Sequence, residues 1–198
     1  MSLADRLREA LERGRRRRPI LLEGDDVLEG AEGDLMPAAV LVAVVDRPLP
    51  TVILTKRPET MRTHPGQISF PGGRIDPGDD GPVDAALREA EEEIALPRHA
   101  VQLVGMADVY RTVTGFEVTP VVGVVPPGLP LVPRPGEVAA MFEAPLDYLL
   151  DPAHQLVRTV NWRGRERCYY EIEWEGQRIW GATAAMIVNL SRRLERVP

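Results

Sequence analysis

GGRIDPGDDGPVDAALREAEEEIAL, residues 72–96, is the stretch from which the rest of the chain is interpreted. It joins a glycine pair, which predicts a turn, to a short polar loop and a helical pattern. Pro82 suits the first turn of a helix, and Pro97 lies just beyond its end. Apolar residues recur at the spacing of one helix face, which predicts a stripe that packs against the core: Val83, Ala86, Leu87, Ala90 and Ile94.

Three glutamates, Glu89, Glu92 and Glu93, project from one flank of this predicted helix. Like charges three or four residues apart destabilise a helix by roughly 0.2–0.5 kcal/mol per pair, and negative charge near a helix C-terminus is also unfavourable. A divalent cation would relieve the repulsion, and carboxylate oxygens suit Mg²⁺ or Mn²⁺. The sequence therefore predicts a metal site here, with a solvated acidic face as the alternative. Arg88 can reach and hold one of several carboxylates: Asp84, Glu91 or Glu92.

The spacing around this helix resembles the Nudix box, the signature of the Nudix hydrolase family. Gly73 comes first, an acidic loop follows, and Arg88–Glu93 carries the paired Arg-Glu and Glu-Glu residues. Three features differ from the family pattern. The loop acid is an aspartate, either Asp79 or Asp80, and the loop is one residue longer than the usual spacing. Ala95 replaces the glycine after the helix, where a left-handed residue is commonly wanted.

The segment before the glycine pair narrows the resemblance further. Residues 54–73, LTKRPETMRTHPGQISFPGG, are similar to the additional motif of the coenzyme A pyrophosphatase branch of the family. That branch also tends to have one extra residue in its box. Trp180–Ala184 is similar to the C-terminal segment of the same branch. The resemblance extends roughly from Ala38 to Leu190.

The resemblance implies an α/β protein, with a Nudix-type α/β/α sandwich, a mixed sheet and the box helix beside it. Strand patterns on both sides of one helical pattern, with another helix at the end, suggest the same arrangement. We expect residues 38–198 to form the Nudix hydrolase domain. Residues 1–37 are expected to form an N-terminal helix and an arginine-rich arm that pack on it. Within them, Arg15–Arg18 is interpreted as a solvated linker, with an anion-attracting arm as the alternative.

Four other segments bear on the site. The apolar run Ala38–Val45 predicts a strand buried on both faces, and Thr51–Lys56 predicts the next strand. Pro120 predicts that its strand lies at a sheet edge or at a bulge. The proline- and glycine-rich residues 126–135 predict an irregular loop over the site, followed directly by Glu137.

The candidate substrate-binding residues precede the acidic helix. Four groups able to carry positive charge cluster there and predict capture of a polyanion, since arginine offers forked donors to phosphate and lysine a point charge: Lys56, Arg57, Arg62 and His64. Gln67, Phe70 and Gly72 join this set as parts of the motif. Glycine at this position lets the backbone approach a ligand or metal closely.

The resemblance assigns the chemistry. The candidate metal ligands are Glu89, Glu92, Glu93 and a backbone carbonyl near Gly73, with Mg²⁺ or Mn²⁺ as the cofactor. Metal ions would neutralise the charge of a diphosphate and polarise a phosphoryl oxygen, so that water can attack in line. Glu92 and Glu137 are alternative candidates for the general base. Arg88 belongs to the catalytic set as the residue that holds a carboxylate.

The substrate implied by the branch is coenzyme A or one of its derivatives. Its hydrolysis would give 3′,5′-ADP and 4′-phosphopantetheine or the acylated form. Another Nudix activity, on ADP-ribose, a dinucleotide or a nucleoside triphosphate, is the first alternative. A nucleotide-sensing module without catalysis is the second, and the intact Arg88–Glu93 pattern argues against it.

Composition excludes several other classes. The 198 residues suit one domain with a substantial core, and a net charge of −6 argues against a nucleic-acid partner. Cys168 is the single cysteine, so an intramolecular disulfide is excluded and a reducing compartment suits the chain. Neither an apolar run of about 18 residues nor a signal peptide is visible. We therefore predict a cytoplasmic protein without a membrane partner, and a homodimer remains open.

Overall fold

The computed structural model describes residues 1–19, 21–22, 35–61, 64–162 and 164–194. Within them, eight strands form the main sheet: β1 (Met36–Val45), β2 (Thr51–Lys56), β3 (Ile68–Ser69), β4 (Gly72–Arg74), β5 (Gln102–Met106), β6 (Tyr110–Arg111), β7 (Phe116–Val125) and β8 (Ala140–Pro145). A second sheet contains β9 (Leu156–Trp162), β10 (Arg165–Trp174) and β11 (Gln177–Trp180). The α-helices are α1 (Leu3–Arg17), α2 (Pro82–Ile94), α3 (Leu146–Leu150) and α4 (Ala182–Leu194).

The main sheet is mixed, as predicted. Its central path runs β3-β2-β1-β7-β5, while β4 pairs with β1, β6 with β7 and β8 with β2. Strands β1 and β7 are parallel along their whole length, and the other pairs are antiparallel. Helix α2 covers one face, and α1, α3 and α4 lie on the other. Successive β1 residues therefore enter different cores, Leu41 facing α2 and Val42 facing α1 and α4. This is the predicted α/β/α sandwich.

Helix α1 is the predicted N-terminal helix, and it extends into the arginine run. A capping box between Ser2 and Asp5 begins it, and its buried leucines pack with residues of α4. The interpretation of the arginine run as a linker is wrong for Arg15, Arg16 and Arg17, which form the last helical turn. Positive charge is favourable at a helix C-terminus. Two of these side chains also donate to backbone carbonyls, Arg15 to Met106 and Arg17 to Arg193.

Pro120 lies in the interior of the sheet and not at an edge, because β7 is paired on both sides. Its carbonyl accepts a hydrogen bond of 2.7 Å from the Ala107 N–H. Ala107 lies between β5 and β6, where the neighbouring ladder is interrupted. The proline is tolerated there because the missing N–H faces this interruption. Of the two predicted alternatives, an interrupted ladder applies and a sheet edge does not.

The glycine pair is also placed differently from the prediction. Gly72 and Gly73 form most of strand β4, which pairs with β1, and the turn comes later, at residues 77–80. No helix in the described part of the chain combines the length and hydropathy needed to cross a bilayer.

Candidate active site

Helix α2 carries the acidic residues of the candidate site and ends before Pro97, as the sequence predicted. Its last residue is Ile94, and Ala95 adopts the left-handed conformation with φ 54° and ψ 33°. The Ala95 N–H donates to the Glu91 carbonyl, and the Leu96 N–H donates to the Ala90 carbonyl. An alanine therefore occupies the position where the family pattern has glycine, at some cost in backbone strain.

Glu93 is the most deeply placed acid on this helix, with 9% of the residue exposed. Burial raises the pKa of its carboxyl group to about 7, and the nearby charges of Glu89 and Glu137 act in the same direction. A hydrogen bond from the Gly72 N–H to Glu93 Oε2, 3.2 Å long, and the positive charge of Arg57 oppose this rise. Glu93 is therefore a carboxylate that a cation would stabilise.

Glu89 lies one helical turn before Glu93 and contacts the same glycine pair. A β-carbon at Gly73 would lie only 2.5 Å from Glu89 Oε1, so the carboxylate is packed directly on the glycine backbone. Burial raises the pKa of Glu89, although Arg88 Nη1, 2.8 Å from Oε1, lowers it. The side chains of Glu89 and Glu93 thus meet beside the glycine pair of strand β4, at a position called the candidate metal point.

Arg88 links the loop before α2 to Glu89 at the candidate metal point. It donates to both Asp79 oxygens at 2.8 and 2.9 Å, to the Arg74 carbonyl at 3.0 Å and to Glu89. Its Nη1 also lies 3.6 Å from Glu92 Oε2. These bonds, first of all those with Asp79, raise the pKa of Arg88 further above its usual range.

Two of the carboxylates predicted to be within reach of Arg88 have another partner. Asp84 lies 2.6 Å and Glu91 3.1 Å from the guanidinium of Arg98. Arg98 lies in a short 3₁₀ helix beyond the end of α2, so spacing along α2 could not reveal this competition. Glu92 is the predicted partner that Arg88 does contact.

The loop acid of the box is Asp79 and not Asp80. The Asp79 side chain is almost fully buried against Arg88 and also accepts the Asp76 N–H at 2.7 Å. Asp80 contributes its backbone N–H to Asp84. The sequence left Asp79 and Asp80 as alternatives, because the two adjacent positions fit the family spacing about equally well.

This ion pair predicts a pH-dependent contribution to stability. Arg88 is the main cause that lowers the pKa of Asp79 to about 2, compared with about 3.9 in an unfolded chain. A lowered folded-state pKa stabilises the protein above the unfolded value, and this stabilisation is lost as the pH falls towards 2. We expect the free energy of unfolding of Asp79→Asn, measured by urea denaturation, to be lower than that of the wild type at pH 5. The difference should narrow between pH 4 and pH 2.

Asp80→Asn is the matched control for this experiment, and we expect it to follow the wild-type pH profile. A profile of Asp79→Asn that parallels the wild type down to pH 2 would show that the Asp79–Arg88 pair contributes no linked stability.

The predicted substrate-binding residues are placed unevenly. Arg57 lies close enough to Glu93 to lower its pKa, and the Arg57 N–H donates to the Gln67 carbonyl at 3.0 Å. Lys56 Nζ lies 3.8 Å from Glu59, and His64 is exposed with a positive φ of 53°. These residues lie in or beside the loop between β2 and β3. Their contacts with a substrate stay predictions.

Three other members of the predicted set are placed differently from these residues or lie outside the described part of the chain. Phe70 is only 2% exposed and packs in the core shared by α1 and α4, so its ring faces the protein interior. Gly72 reaches the site through its N–H group and not as part of a turn. Arg62 lies outside the described residues.

The loop of residues 126–135 is irregular, as predicted, and it is tied to the end of α2. The Val132 N–H donates to the Ile94 carbonyl at 3.0 Å, and the Arg134 N–H donates to the Glu93 carbonyl at 2.8 Å. These bonds satisfy carbonyls that a helix end leaves unpaired. They also bring Glu137 close enough to influence the Glu93 carboxylate, although Glu137 forms an ion pair with Arg134 at 3.5 Å.

The donor chemistry of this point fits a hard divalent cation. Glu89 and Glu93 offer carboxylate oxygens with raised pKa values, beside the glycine backbone. As they stand, no three His, Cys, Asp or Glu side chains of the described residues converge on one metal position. Glu92 is half-exposed and directed at Arg88, so its assignment as a ligand stays a prediction.

Fold and site together define an α/β/α sandwich in which one helix presents carboxylates to the glycine pair of strand β4. The NUDIX domain model matches residues 35–162. The chain is 44% identical to the uncharacterized Nudix hydrolase NudL of Cronobacter sakazakii over 81% of this chain and 84% of that protein. It is 41% identical to the uncharacterized Nudix hydrolase NudL of Photorhabdus laumondii over 80% and 84%, respectively. The protein belongs to the Nudix hydrolase family and is a pyrophosphohydrolase that acts on phosphoanhydrides.

Among solved structures, a binary complex of the C. elegans Ap4A hydrolase aligns with a TM-score of 0.49 and 19% identity. The alignment covers 56% of this chain and 80% of that chain. Nudix hydrolases generally need divalent metal ions, typically Mg²⁺ or Mn²⁺.

Proposed function

We propose that this protein is a coenzyme A diphosphatase. It hydrolyses the pyrophosphate bond of coenzyme A or a derivative and releases 3′,5′-ADP and 4′-phosphopantetheine or its acylated form. The proposal is supported by the similarity of residues 54–73 to the additional motif of the coenzyme A pyrophosphatase branch. The pyrophosphohydrolase chemistry of the family supports the proposal as well.

One structural observation supports a phosphate-binding role for the motif loop. Arg57, from the motif loop, has a buried Nε atom without a hydrogen-bond partner in the described part of the chain. A buried donor left unpaired costs free energy, so such groups usually meet a ligand or water. The same guanidinium lies near Glu93, which connects the motif loop to the carboxylates of α2. We place a substrate phosphate against the guanidinium of Arg57 beside Glu93.

The roles of the other residues follow from their contacts. A divalent cation bound by Glu89 and Glu93 would supply charge neutralisation and polarise a phosphoryl oxygen. Arg88 positions Glu89 and the box loop through its bonds to both, and the Gly72 N–H fixes Glu93. Arg57 orients the diphosphate. Glu137 and Glu92 remain the two candidates for accepting the proton of the attacking water.

The decisive experiment is product analysis after incubation with coenzyme A and Mg²⁺ or Mn²⁺. We expect 3′,5′-ADP and 4′-phosphopantetheine in equal amounts, identified by mass spectrometry. Faster hydrolysis of ADP-ribose, a dinucleotide or a nucleoside triphosphate in the same panel would assign the enzyme to another Nudix activity. Nucleotide binding without hydrolysis of any of them would favour a sensing module.

The same assay tests Arg57. We expect Arg57→Ala to lower kcat/KM for coenzyme A by about 10- to 100-fold, the effect of losing a hydrogen bond to a charged group. Because Arg57 lies near Glu93, the loss should be equal for 3′-dephospho-coenzyme A. A larger loss with coenzyme A would instead assign Arg57 to the 3′-phosphate. Arg47→Ala, which removes an ion pair with Glu143 elsewhere on the sheet, is the control and should retain activity.

A further inference from the structure

One face of the second sheet is buried against the domain, and the other, called the open face, is partly exposed. Glu171 on the open face is nevertheless buried and paired with Arg158 and Arg178. Ile172 and Ile179 are completely buried and pack into the core, so they hold the sheet on the domain. Tyr169, Glu171 and Trp180 alternate with them on the other face, where Glu171 pairs with Trp180 across β10 and β11. Trp180 is 38% exposed although it contributes nothing to that core. Its exposure therefore calls for a reason other than packing.

The open face holds an ordered aromatic and cationic cluster. The guanidinium of Arg178 lies 5.0 Å from the ring centroid of Trp180 and 5.8 Å from that of Tyr169. The two rings meet edge to face at 6.0 Å. Arg178 is held there by hydrogen bonds to the Glu171 carboxylate and, at 2.8 Å, to the Tyr169 hydroxyl. Such combinations of aromatic rings and arginine planes are the usual platforms on which nucleic-acid bases stack.

This cluster is connected to the candidate active site. Gly181 directly follows Trp180, and a β-carbon at Gly181 would lie 3.8 Å from the Gln67 side-chain nitrogen. Thr183 Oγ1 donates to the Ile68 carbonyl at 3.1 Å, which ties the start of α4 to strand β3. The backbone carbonyl of Gln67 in turn accepts a hydrogen bond from the backbone N–H of Arg57. The end of β11 is thus joined to the motif loop that reaches Glu93.

We propose that Tyr169, Arg178 and Trp180 form a stacking subsite for the planar base of the nucleotide substrate. The base binds on the exposed surfaces of the two rings and the guanidinium, while the phosphates extend along the motif loop towards α2. The inference rests on the proposed function only for the identity of the whole substrate. An adenine nucleotide should bind this platform whether or not coenzyme A is hydrolysed.

The test compares Trp180→Leu with the wild type. Leucine keeps an apolar side chain but removes the wide ring, so the thermal midpoint should stay near the wild-type value. Base stacking contributes about 1–3 kcal/mol by alanine substitution. We therefore expect the Kd for adenosine 3′,5′-bisphosphate, measured by calorimetry, to rise about tenfold. The Kd for inorganic pyrophosphate, which lacks a base, should be unchanged.

Two further measurements accompany the binding assay. Adenosine 3′,5′-bisphosphate should quench the tryptophan fluorescence of the wild type and leave that of Trp180→Leu unaffected. With coenzyme A, KM should rise and kcat should change little. Val160→Ala, which alters another exposed residue of the second sheet, is the matched control and should behave as the wild type in each assay.

The outcomes separate this inference from the proposed function. Wild-type coenzyme A kinetics and nucleotide affinity in Trp180→Leu would overturn the subsite and leave the diphosphatase intact. Equal weakening of both probes, or a changed oligomeric state on size-exclusion chromatography, would also overturn it by indicating a structural or interface role. Fluorescence quenching by the nucleotide without coenzyme A hydrolysis would support the subsite and reject the diphosphatase.

Discussion

Glu93→Gln and Glu89→Gln should each lower kcat by about 10²–10⁴-fold with Mg²⁺ or Mn²⁺, because each amide removes one anionic oxygen ligand from the candidate metal point. A metal ion contributes several kcal/mol of charge stabilisation, and each 1.4 kcal/mol corresponds to a factor of ten. Turnover of the pyrophosphate substrate measures the effect on catalysis. Calorimetric titration with Mn²⁺ measures the loss of metal affinity independently of the substrate.

Folding should not account for this loss. Burial disfavours the charged form of both carboxyl groups. The charges of Glu92 and Asp76 also raise the pKa of Glu89, and those of Glu89 and Glu137 raise the pKa of Glu93. A neutral amide avoids that penalty. We therefore expect the thermal midpoint of Glu93→Gln in metal-free buffer at pH 8 to be no lower than that of the wild type.

Glu91→Gln is the matched control on the same helix. Glu91 is half-exposed and pairs with Arg98, and exposed ion pairs contribute at most about 1 kcal/mol. Its kcat and Mn²⁺ affinity should stay within about twofold of the wild type. Near-normal turnover in either Glu89→Gln or Glu93→Gln would remove that residue from the metal site.

Gly72→Ala should damage both stability and activity. A β-carbon at Gly72 would lie 2.6 Å from the Val40 Cα and also too close to the Ala39 carbonyl oxygen. These are backbone atoms of β1, so the contact can be relieved only if β4 moves away. Overpacking of this kind typically costs about 1–3 kcal/mol. The same movement withdraws the Gly72 N–H from Glu93, so kcat should also fall.

Urea denaturation and turnover measure these two effects, and Gly78→Ala supplies the control. Gly78 lies in the loop before α2, has no heavy atom within 4 Å of a new β-carbon and does not adopt a positive φ. We expect this variant to match the wild type in both assays. If Gly72→Ala kept wild-type stability and turnover, the close packing of β4 on β1 would be unnecessary for the site.

The sequence was most informative where the determining interactions are local. The period of apolar residues and Pro82 predicted α2 and the face that it packs against the core, and the structure confirms both. Val83 and Leu87 of the predicted stripe are only partly buried, whereas Ala85, which the stripe omitted, is completely buried. The two strands Ala38–Val45 and Thr51–Lys56 were predicted because unbroken or alternating apolar runs specify burial directly. The prediction of a mixed sheet between helices followed from the order of these patterns.

Sequence reasoning was weaker where two partners compete for one group. It placed Asp84 and Glu91 within reach of Arg88, but Arg98 folds back from the next turn and binds both. It placed Phe70 with the substrate, but the ring packs in the core. Sequence spacing shows which side chains are within reach of one another. Competition among the available partners in the folded chain determines which contacts form.

The order of residues along the chain, taken alone, determined the family, helix α2 and the set of acids on it, because helical periodicity and short motifs act over a few residues. Tertiary structure alone decided that Asp79 is the acid paired with Arg88, that loop 126–135 binds the end of α2, and that Gly181, next to Trp180, lies beside the motif loop. These contacts join segments far apart in sequence. The packing of helices against sheets determines these contacts, so a local sequence pattern cannot predict them.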